Sequence, residues 1–242
     1  MSAVNRRHQA REWLLAPQEP GRARMKLCGM FREEDVRAVA LARPDLCGFI
    51  VNFPKSHRSI SADRLKELCE LLGEEDAQAA AREATSGNAV SVHPIWRVGV
   101  FVNEPLDSLI RLVSESGIDL VQLHGSESNA YISELRHHTG VGTIQAFQVR
   151  NEEDASRAEG SAADMALLDS GQGTGAAFDW SYVSRMHRPF ILAGGLTPEN
   201  VGEALDEVRP WGVDMSSGLE TDKLKDPEKI AAAVREVRRW RL

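Results

Sequence analysis

The sequence has few of the features that mark membrane proteins, disulfide-bonded secreted proteins or nucleic-acid-binding proteins. No apolar run approaches the roughly 20 residues of a membrane helix, so we expect no membrane span and no membrane partner. The three cysteines, Cys28, Cys47 and Cys69, lack metal-ligand spacing, which predicts free thiols in a reducing cytoplasm and no bound metal. The net charge of −7 predicts no nucleic-acid partner, so local groups must hold any anionic ligand.

Residues 1–24 differ from the rest of the chain in charge. Five arginines and two glutamates give this segment a net charge of +3. Its apolar stretch, Trp13-Leu14-Leu15, is too short for a signal peptide, and Pro17 and Pro20 interrupt any helix. We expect a short helix, a disordered extension, or residues that precede a start at Met25, in preference to a binding arm.

Short apolar runs rich in β-branched residues alternate with amphipathic helical patterns from residue 25 onward. The runs lie at 25–28, 46–53, 97–102, 119–123, 142–147, 165–168, 190–193 and 212–216. They read as strands buried on both faces, as in a parallel sheet. The total of 242 residues suits one α/β barrel, which typically needs about 250 residues.

The helical patterns between these runs complete the fold prediction. One helix is expected to begin with Thr197 as its N-cap and Pro198 at its first position, and another to follow Asp226. Eight strand–helix units joined by right-handed crossovers predict a single-domain (β/α)8 barrel over residues 25–242. An open doubly wound sheet is the alternative, disfavoured because the glycine-rich phosphate motif falls late in the chain.

One connection is longer than the others. Residues 73–96 lie between the second predicted barrel helix and the third predicted strand, and exceed a normal helix-to-strand loop. Residues 77–84 are rich in alanine and prone to form a helix. We expect an insertion at about 73–96, either an extra surface helix or a long extension, on the face of the barrel away from the chemistry.

The carboxyl ends of the predicted strands hold residues suited to acid–base chemistry on a phosphorylated molecule, and barrel active sites form there. Those positions hold Cys28, the run 54–58 ending in Arg58, Asn103, His124, Asp169 followed by 171–175, Gly194-Gly195, and Ser216-Ser217-Gly218. The last two turns follow strands seven and eight, where backbone N–H groups bind phosphate in many barrels. The sequence predicts a base, an acid, a cation and a phosphorylated small-molecule substrate.

Seven segments, in order and at barrel spacing, resemble phosphoribosylanthranilate isomerase of tryptophan biosynthesis. They are KLCG at 26–29, PKSHR at 54–58, VGVFVN at 98–103, QLHG at 122–125, GTG at 173–175 with FDW at 178–180, LAGGL at 192–196 and VDMSSG at 213–218. The resemblance implies an Amadori rearrangement of N-(5′-phosphoribosyl)anthranilate to 1-(2-carboxyphenylamino)-1-deoxyribulose 5-phosphate. It implies no cofactor, because the iminium formed from the substrate accepts the electrons. It also implies a functional link to indole-glycerol-phosphate synthase.

The resemblance also implies roles for individual residues. Asp169 matches the general acid, Cys28 the general base and Arg58 the group that binds the anthranilate carboxylate. The phosphate is assigned to Gly195, Ser217 and Gly218, with Gly194 and Ser216 shaping their turns. His124 is expected either to contact the ligand or to hydrogen-bond behind the site.

Each assignment has a structural alternative. Cys28 could be a small core residue and Asp169 a turn cap, whereas Asp179 and Asp214 are expected to be structural. A cysteine base predicts an electropositive or hydrogen-bonded setting around Cys28. An acid that keeps its proton near neutral pH predicts partial burial of Asp169.

Other functions remain open, and one segment departs from the family. The loop after Asp169 is shorter than in many relatives, which bears on closure and turnover rate. The histidine-pathway isomerase uses aspartates in both roles, and Cys28 argues against it. A lyase similar to indole-glycerol-phosphate synthase would need a lysine that is absent from the matching strand ends. A non-catalytic phosphosugar-binding barrel would not need Cys28 or Asp169.

Overall fold

Eight parallel strands close into a barrel in the computed structural model, which describes residues 3–18, 22–85, 94–169 and 186–241. The strands are β1 (Arg24–Cys28), β2 (Leu46–Val51), β3 (Ser59–Ile60), β4 (Trp96–Phe101), β5 (Leu120–Leu123), β6 (Gly142–Gln148), β7 (Met165–Asp169), β8 (Phe190–Ala193), β9 (Gly212–Met215), β10 (Glu220–Thr221) and β11 (Leu224–Lys225). β1 pairs in parallel with both β2 and β9, which closes the ring. The predicted (β/α)8 barrel is therefore confirmed, and the open doubly wound sheet is excluded because an open sheet keeps two edge strands.

The barrel strands coincide with the eight predicted runs to within two residues. The largest difference is in β2, which was expected to reach residue 53 and ends at Val51. The next residue, Asn52, adopts a left-handed φ of 52°, which cannot continue an extended strand. β3 lies outside the ring as a two-residue extension that pairs with β2.

The helices are α1 (Ala3–Leu15), α2 (Glu33–Ala42), α3 (Ala62–Thr85), α4 (Leu106–Glu115), α5 (Asn129–Thr139), α6 (Glu152–Glu159), α7 (Val201–Val208) and α8 (Pro227–Arg239). Helices α2 to α8 lie on the outside of the barrel after its strands, and α1 precedes β1. The Asp226 side chain caps α8 by accepting from two backbone N–H groups of its first turn, as its Asp-Pro start predicts. No helix of the described residues is long and apolar enough to cross a membrane.

The predicted start of α7 at Thr197 and Pro198 was wrong. The helix begins at Val201, and residues 197–200 form a turn. The Asn200 side chain accepts from the Thr197 N–H and donates to the Gly195 carbonyl, at 2.8 and 3.0 Å. These bonds hold the segment in the turn and tie it to the loop after β8.

Residues 73–85 continue α3 as one 24-residue helix and do not form a separate element. The helix passes through Gly73 without a positive φ, and nothing within this stretch breaks it. Asp76 joins the extension to the barrel, because its carboxylate pairs with Arg43 at 2.8 Å and accepts from the Ile95 N–H at 3.1 Å. The second part of the predicted insertion, residues 86–93, lies outside the described residues.

Helix α1 lies across the amino-terminal end of the barrel. Ala10 and Leu14 are fully buried and pack with the apolar residues that fill the barrel interior. Trp13 packs edge-to-face on Trp211, with ring centroids 5.5 Å apart. Arg6 pairs with Asp119, just before β5, at 2.8 Å, and Arg11 bonds to Asp164, just before β7, at 3.1 Å. This end is opposite the strand ends where the candidate site lies.

Candidate active site

The carboxyl ends of the barrel strands surround a cavity of about 460 Å³. Eight of the nine site residues predicted from the sequence line it: Cys28, Arg58, His124, Asp169, Gly194, Gly195, Ser216 and Ser217. The ninth, Gly218, follows directly in the chain. A second cavity of about 800 Å³ shares His124, Gln148 and Asp169 with the first and lies towards β5 and β6. The two cavities are adjoining parts of one barrel mouth.

Cys28 ends β1 and has 6% of its surface exposed. Lys26 lies two residues earlier on the same face of β1 and is fully buried. Both side chains extend over Gly48 of β2, where a Cβ atom would lie 3.0 Å from Cys28 Sγ and 3.1 Å from Lys26 Nζ. The missing side chain of Gly48 therefore provides the space in which the thiol and the ammonium group lie side by side.

A buried ion pair lies behind Cys28. Lys26 and Asp214 are register partners on β1 and β9, and Lys26 Nζ lies 3.0 Å from each oxygen of the Asp214 carboxylate. Burial lowers the pKa of Lys26, but Asp214 and Cys28 outweigh it and raise the pKa above its ordinary value. Lys26 therefore stays an ammonium group. Asp214 was expected to be structural, whereas it lines the cavity.

The surroundings of Cys28 shift the pKa of its thiol in opposite directions. Burial is the largest effect and raises the pKa of the thiol, and Asp214 raises it further. Lys26 and, more weakly, Lys225 lower the pKa, but the net direction is upward. The positively charged neighbours expected for a cysteine base are present. The net effect of burial and all these groups therefore favours the protonated thiol.

Asp169 ends β7 and is half-buried on the cavity wall. His124 lies close enough for the Asp169 carboxylate to raise its pKa, although burial is larger and the net pKa of His124 is lowered. Gln122 Nε2 lies 3.1 Å from His124 Nδ1. Since an amide N–H donates, the neutral His124 ring accepts at Nδ1 and holds its proton at Nε2.

Gln122 is a wall residue that the sequence did not single out. Its side chain is 1% exposed, and its Oε1 has no hydrogen-bond partner among the residues that the structure describes. A buried acceptor without a partner costs free energy, so a ligand N–H or O–H that reaches it would be favoured. Gln122 is therefore a candidate for contact with ligand.

Arg58 projects from the segment after β2 and is bound by Glu220 at the barrel mouth. Arg58 Nε lies 2.5 Å from Glu220 Oε1, and Arg58 Nη2 lies 2.8 Å from Glu220 Oε2. Lys225 Nζ also contacts Glu220, at 2.9 Å. Burial raises the pKa of Glu220, but the hydrogen bonds from Arg58 and Lys225 outweigh it and lower the pKa overall. The Glu220 carboxylate is therefore ionised.

Two turns, after β8 and β9, form another part of the cavity wall. Gly194 and Gly195 have φ values of 98° and 63°, which glycine adopts without strain. Gly218 packs against this turn so closely that a Cβ atom would lie 2.1 Å from the Leu196 carbonyl oxygen. The Ser216 hydroxyl donates to the Cys28 carbonyl at 3.1 Å, which joins the turn after β9 to β1. Consecutive glycine-rich turns of this kind are typical of anion-binding sites.

The remaining predictions for the site concern residues outside the described part of the chain. These are the glycine-rich loop 171–175 and the FDW segment 178–180 that contains Asp179. Among the described residues, no cluster of His, Cys, Asp or Glu could hold a metal ion. The sequence analysis did not predict the charged residues behind the cavity wall. Lys26 and Asp214 lie in the segments KLCG and VDMSSG, and their positions within predicted strands were the only sign that they face the barrel interior.

Comparison with known proteins agrees with this geometry. The family model described as N-(5′-phosphoribosyl)anthranilate (PRA) isomerase matches residues 68–236. The N-(5′-phosphoribosyl)anthranilate isomerase of Acetivibrio thermocellus is 36% identical over 228 residues, which cover 88% of this chain and 95% of that protein.

Solved structures give the same result. The phosphoribosylanthranilate isomerase of Thermotoga maritima superimposes with a TM-score of 0.72 at 31% identity, covering 89% of this chain and 98% of that one. A phosphoribosylanthranilate isomerase structure in complex with reduced 1-(o-carboxyphenylamino)-1-deoxyribulose 5-phosphate has a TM-score of 0.70 at 31% identity, with the same coverage of both chains.

Proposed function

The chain belongs to the N-(5′-phosphoribosyl)anthranilate isomerase family, and from this premise we propose that Asp169 and Cys28 perform the two proton transfers of its reaction. The enzyme converts N-(5′-phosphoribosyl)anthranilate to 1-(2-carboxyphenylamino)-1-deoxyribulose 5-phosphate in tryptophan biosynthesis. The observation that supports the assignment most directly is the single cavity lined by both side chains. They reach it from β1 and β7, which lie on different sides of the ring.

The first transfer opens the ribose ring. Asp169 donates its proton to the furanose ring oxygen, and the bond between that oxygen and C1′ breaks. The anthranilate nitrogen supplies the electron pair, which leaves an iminium ion. The location of Asp169 at the end of β7, on the wall of the cavity, supports this role.

The second transfer forms the enolamine. The Cys28 thiolate removes the C2′ proton, and the C–H electron pair moves into the iminium system. The enolamine then tautomerises to the ketone. Because the iminium is cationic, it favours the thiolate of Cys28 at the step that needs it and opposes the effect of burial, which raises the thiol pKa. The substrate supplies its own electron sink, so the reaction needs no external cofactor.

Two further contacts hold the substrate. We assign the phosphate to the turns at Gly194-Gly195 and Ser216–Gly218, and the anthranilate carboxylate to Arg58. The product analogue bound by the related isomerase has a phosphate at one end and a carboxylate at the other. A cavity of about 460 Å³ is in the size range of small-molecule sites.

The proposal has three further parts, which concern cellular location, a functional link and the extent of the barrel. We propose a cytoplasmic enzyme, since Cys28, Cys47 and Cys69 are free thiols. We also propose a functional link to indole-glycerol-phosphate synthase. Residues 1–24 are proposed to be an extension of a catalytic barrel that spans 25–242.

The test follows consumption of freshly generated phosphoribosylanthranilate by its fluorescence. Cys28→Ala and Asp169→Asn should each lower kcat by at least about a hundredfold while still binding the reduced product analogue. Asp107→Asn on the exposed first turn of α4 is the control and should leave kcat unchanged. Full activity in Asp169→Asn would refute the acid assignment. A wild-type protein that binds the analogue without turnover would instead be a phosphosugar-binding barrel.

A further inference from the structure

Lys26 has no role in the reaction as described so far, yet it lies beside the proposed base. We propose that Lys26, held by Asp214, is a positioning residue that stabilises the thiolate form of Cys28. The inference rests on the proposed function for the importance of that thiolate, but the interaction itself is a property of the resting protein.

The geometry of β1 brings the two side chains together. Residues two apart on a strand point to the same face, so Lys26 and Cys28 both project into the barrel. Cys28 is the register partner of Gly48, and that glycine leaves room above its Cα for both side chains. A Cβ atom there would be within 3.1 Å of the Lys26 ammonium nitrogen and within 3.0 Å of the thiol sulfur.

Asp214 keeps the cation in place. Lys26 is fully buried, so its ammonium group cannot turn into solvent. Two contacts of 3.0 Å to the Asp214 carboxylate fix it at the level of the thiol. A lysine whose only role was to neutralise the Asp214 charge could approach that carboxylate from any side. Its location at Cys28 therefore indicates an effect on the thiol.

The other charged groups around Cys28 act from different elements. Asp214 on β9 disfavours the thiolate, whereas Lys225 on β11 favours it. Arg58, after β2, and the Cys47 thiol within β2 also interact electrostatically with Cys28. Lys225 and Arg58 are both engaged by Glu220. Of the groups that favour the thiolate, Lys26 has the largest effect. Its loss should therefore raise the pKa of the Cys28 thiol further, because burial and Asp214 both act in that direction.

The test measures how fast iodoacetamide alkylates the thiol as a function of pH. Cys28 faces the cavity, whereas Cys47 and Cys69 are both 0% exposed, so alkylation of the native protein reports on Cys28. Cys28→Ala gives the background. Lys26→Met should slow alkylation at pH 8 by about tenfold, because an adjacent opposite charge is removed.

Asp214→Asn separates the electrostatic role from a structural one. It removes the carboxylate that disfavours the thiolate, but also the main group that keeps buried Lys26 protonated. Alkylation should therefore be faster than in the wild type at the acidic end of the pH series and lose this gain as the pH rises. A pair that served only to hold the barrel together would respond to both substitutions in the same direction at every pH. Equal or slower alkylation in Asp214→Asn across the whole series would overturn the inference, as would a wild-type rate in Lys26→Met.

Lys26→Met leaves Asp214 buried without its cation and could therefore fold poorly. The double variant Lys26→Met/Asp214→Asn removes both charges and keeps the test decisive in that case. The double variant has neither charge of this pair and should alkylate more slowly than Asp214→Asn at the acidic end of the pH series. A rate equal to that of Asp214→Asn would contradict the inference. Since alkylation needs no turnover, absence of isomerase activity in the wild type would refute the proposed function while this comparison still decides the role of Lys26.

Discussion

Arg58 and Glu220 form a two-bond ion pair across the mouth of the barrel. The bonds join Arg58 Nε to Glu220 Oε1 at 2.5 Å and Arg58 Nη2 to Glu220 Oε2 at 2.8 Å. A guanidinium group bound along one edge has a fixed plane, so its orientation is set before a carboxylate ligand arrives. Glu220 is in turn placed by the β10–β11 hairpin, where it is the register partner of Lys225.

Glu220→Gln should therefore weaken substrate binding more than it slows the chemistry. The amide keeps the shape of the side chain but loses the charge-assisted bonds, which are worth about 1.5–3 kcal/mol each. We expect KM to rise about tenfold and kcat to change by less than about threefold. Steady-state kinetics with Glu228→Gln, an exposed position on α8, as control would check this. A fall in kcat with unchanged KM would mean that Glu220 acts on the chemistry.

The barrel and most of the cavity wall could be predicted because both depend on local pattern. Apolar runs marked the strands, and the residues after each run marked the wall. The charged network was harder to predict because its partners are distant in sequence. Lys26 and Asp214 meet only because β1 and β9 pair at ring closure. Glu220 reaches Arg58 only because Asp222 and Lys223 both take positive φ values and turn the chain back over the mouth.

Gly218→Ala should damage the proposed phosphate site. The new Cβ atom would lie 2.1 Å from the Leu196 carbonyl oxygen, which forces apart the turns after β8 and β9. We expect at least about tenfold weaker binding of the reduced product analogue, since a displacement of this size costs more than about 1.4 kcal/mol. Isothermal titration calorimetry would measure it.

Gly202→Ala is the matched control. Gly202 lies in α7 with nothing within 4 Å of an added Cβ. Alanine is the better helix former by up to about 1 kcal/mol, so this variant should bind normally and melt at a slightly higher temperature. Equal binding by the two alanine variants would argue against the assignment of phosphate to the Gly218 turn.

Cys69 predicts a loss of stability at alkaline pH. Burial raises the pKa of its thiol from 9.0 to about 12 in the folded protein. Between these values the unfolded chain loses the proton and the folded chain keeps it, so the unfolded state binds fewer protons. The free energy of unfolding is therefore unaffected below pH 9 and falls as the pH rises towards 12, by up to about 1.4 kcal/mol per pH unit.

Urea unfolding at several pH values from 8 to 10.5 would measure this effect. Cys69→Ala should make the decline shallower, because the ionisable group is gone while all other groups remain. Ser114→Ala, at an exposed position on α4, should leave the slope of the wild type unchanged. A slope that is the same with and without Cys69 would show that its thiol already titrates near its ordinary value.

The contribution of α1 could not be predicted from its own sequence. Three arginines and other polar residues interrupt the apolar residues of α1, which form no clear stripe, and the ring partner of Trp13, Trp211, lies 198 residues later in the chain. The Arg11 side chain bonds to Asp164 at 3.0 Å, and the Arg24 guanidinium stacks on the rings of both Trp13 and Trp211. Only the closed barrel brings these residues to one surface.

Leu14 and Leu15 allow a direct test of whether α1 is part of the folded core. Leu14 is 0% exposed among the residues of the barrel interior, whereas Leu15, its neighbour, is 53% exposed. Leu14→Ala should lower the free energy of unfolding by about 2–5 kcal/mol, the usual cost of a buried cavity. Leu15→Ala has the same helix propensity change and should cost less than about 0.5 kcal/mol. If denaturant melts of the two variants coincide, α1 does not contribute to the stability of the barrel, and the extension would be dispensable for folding.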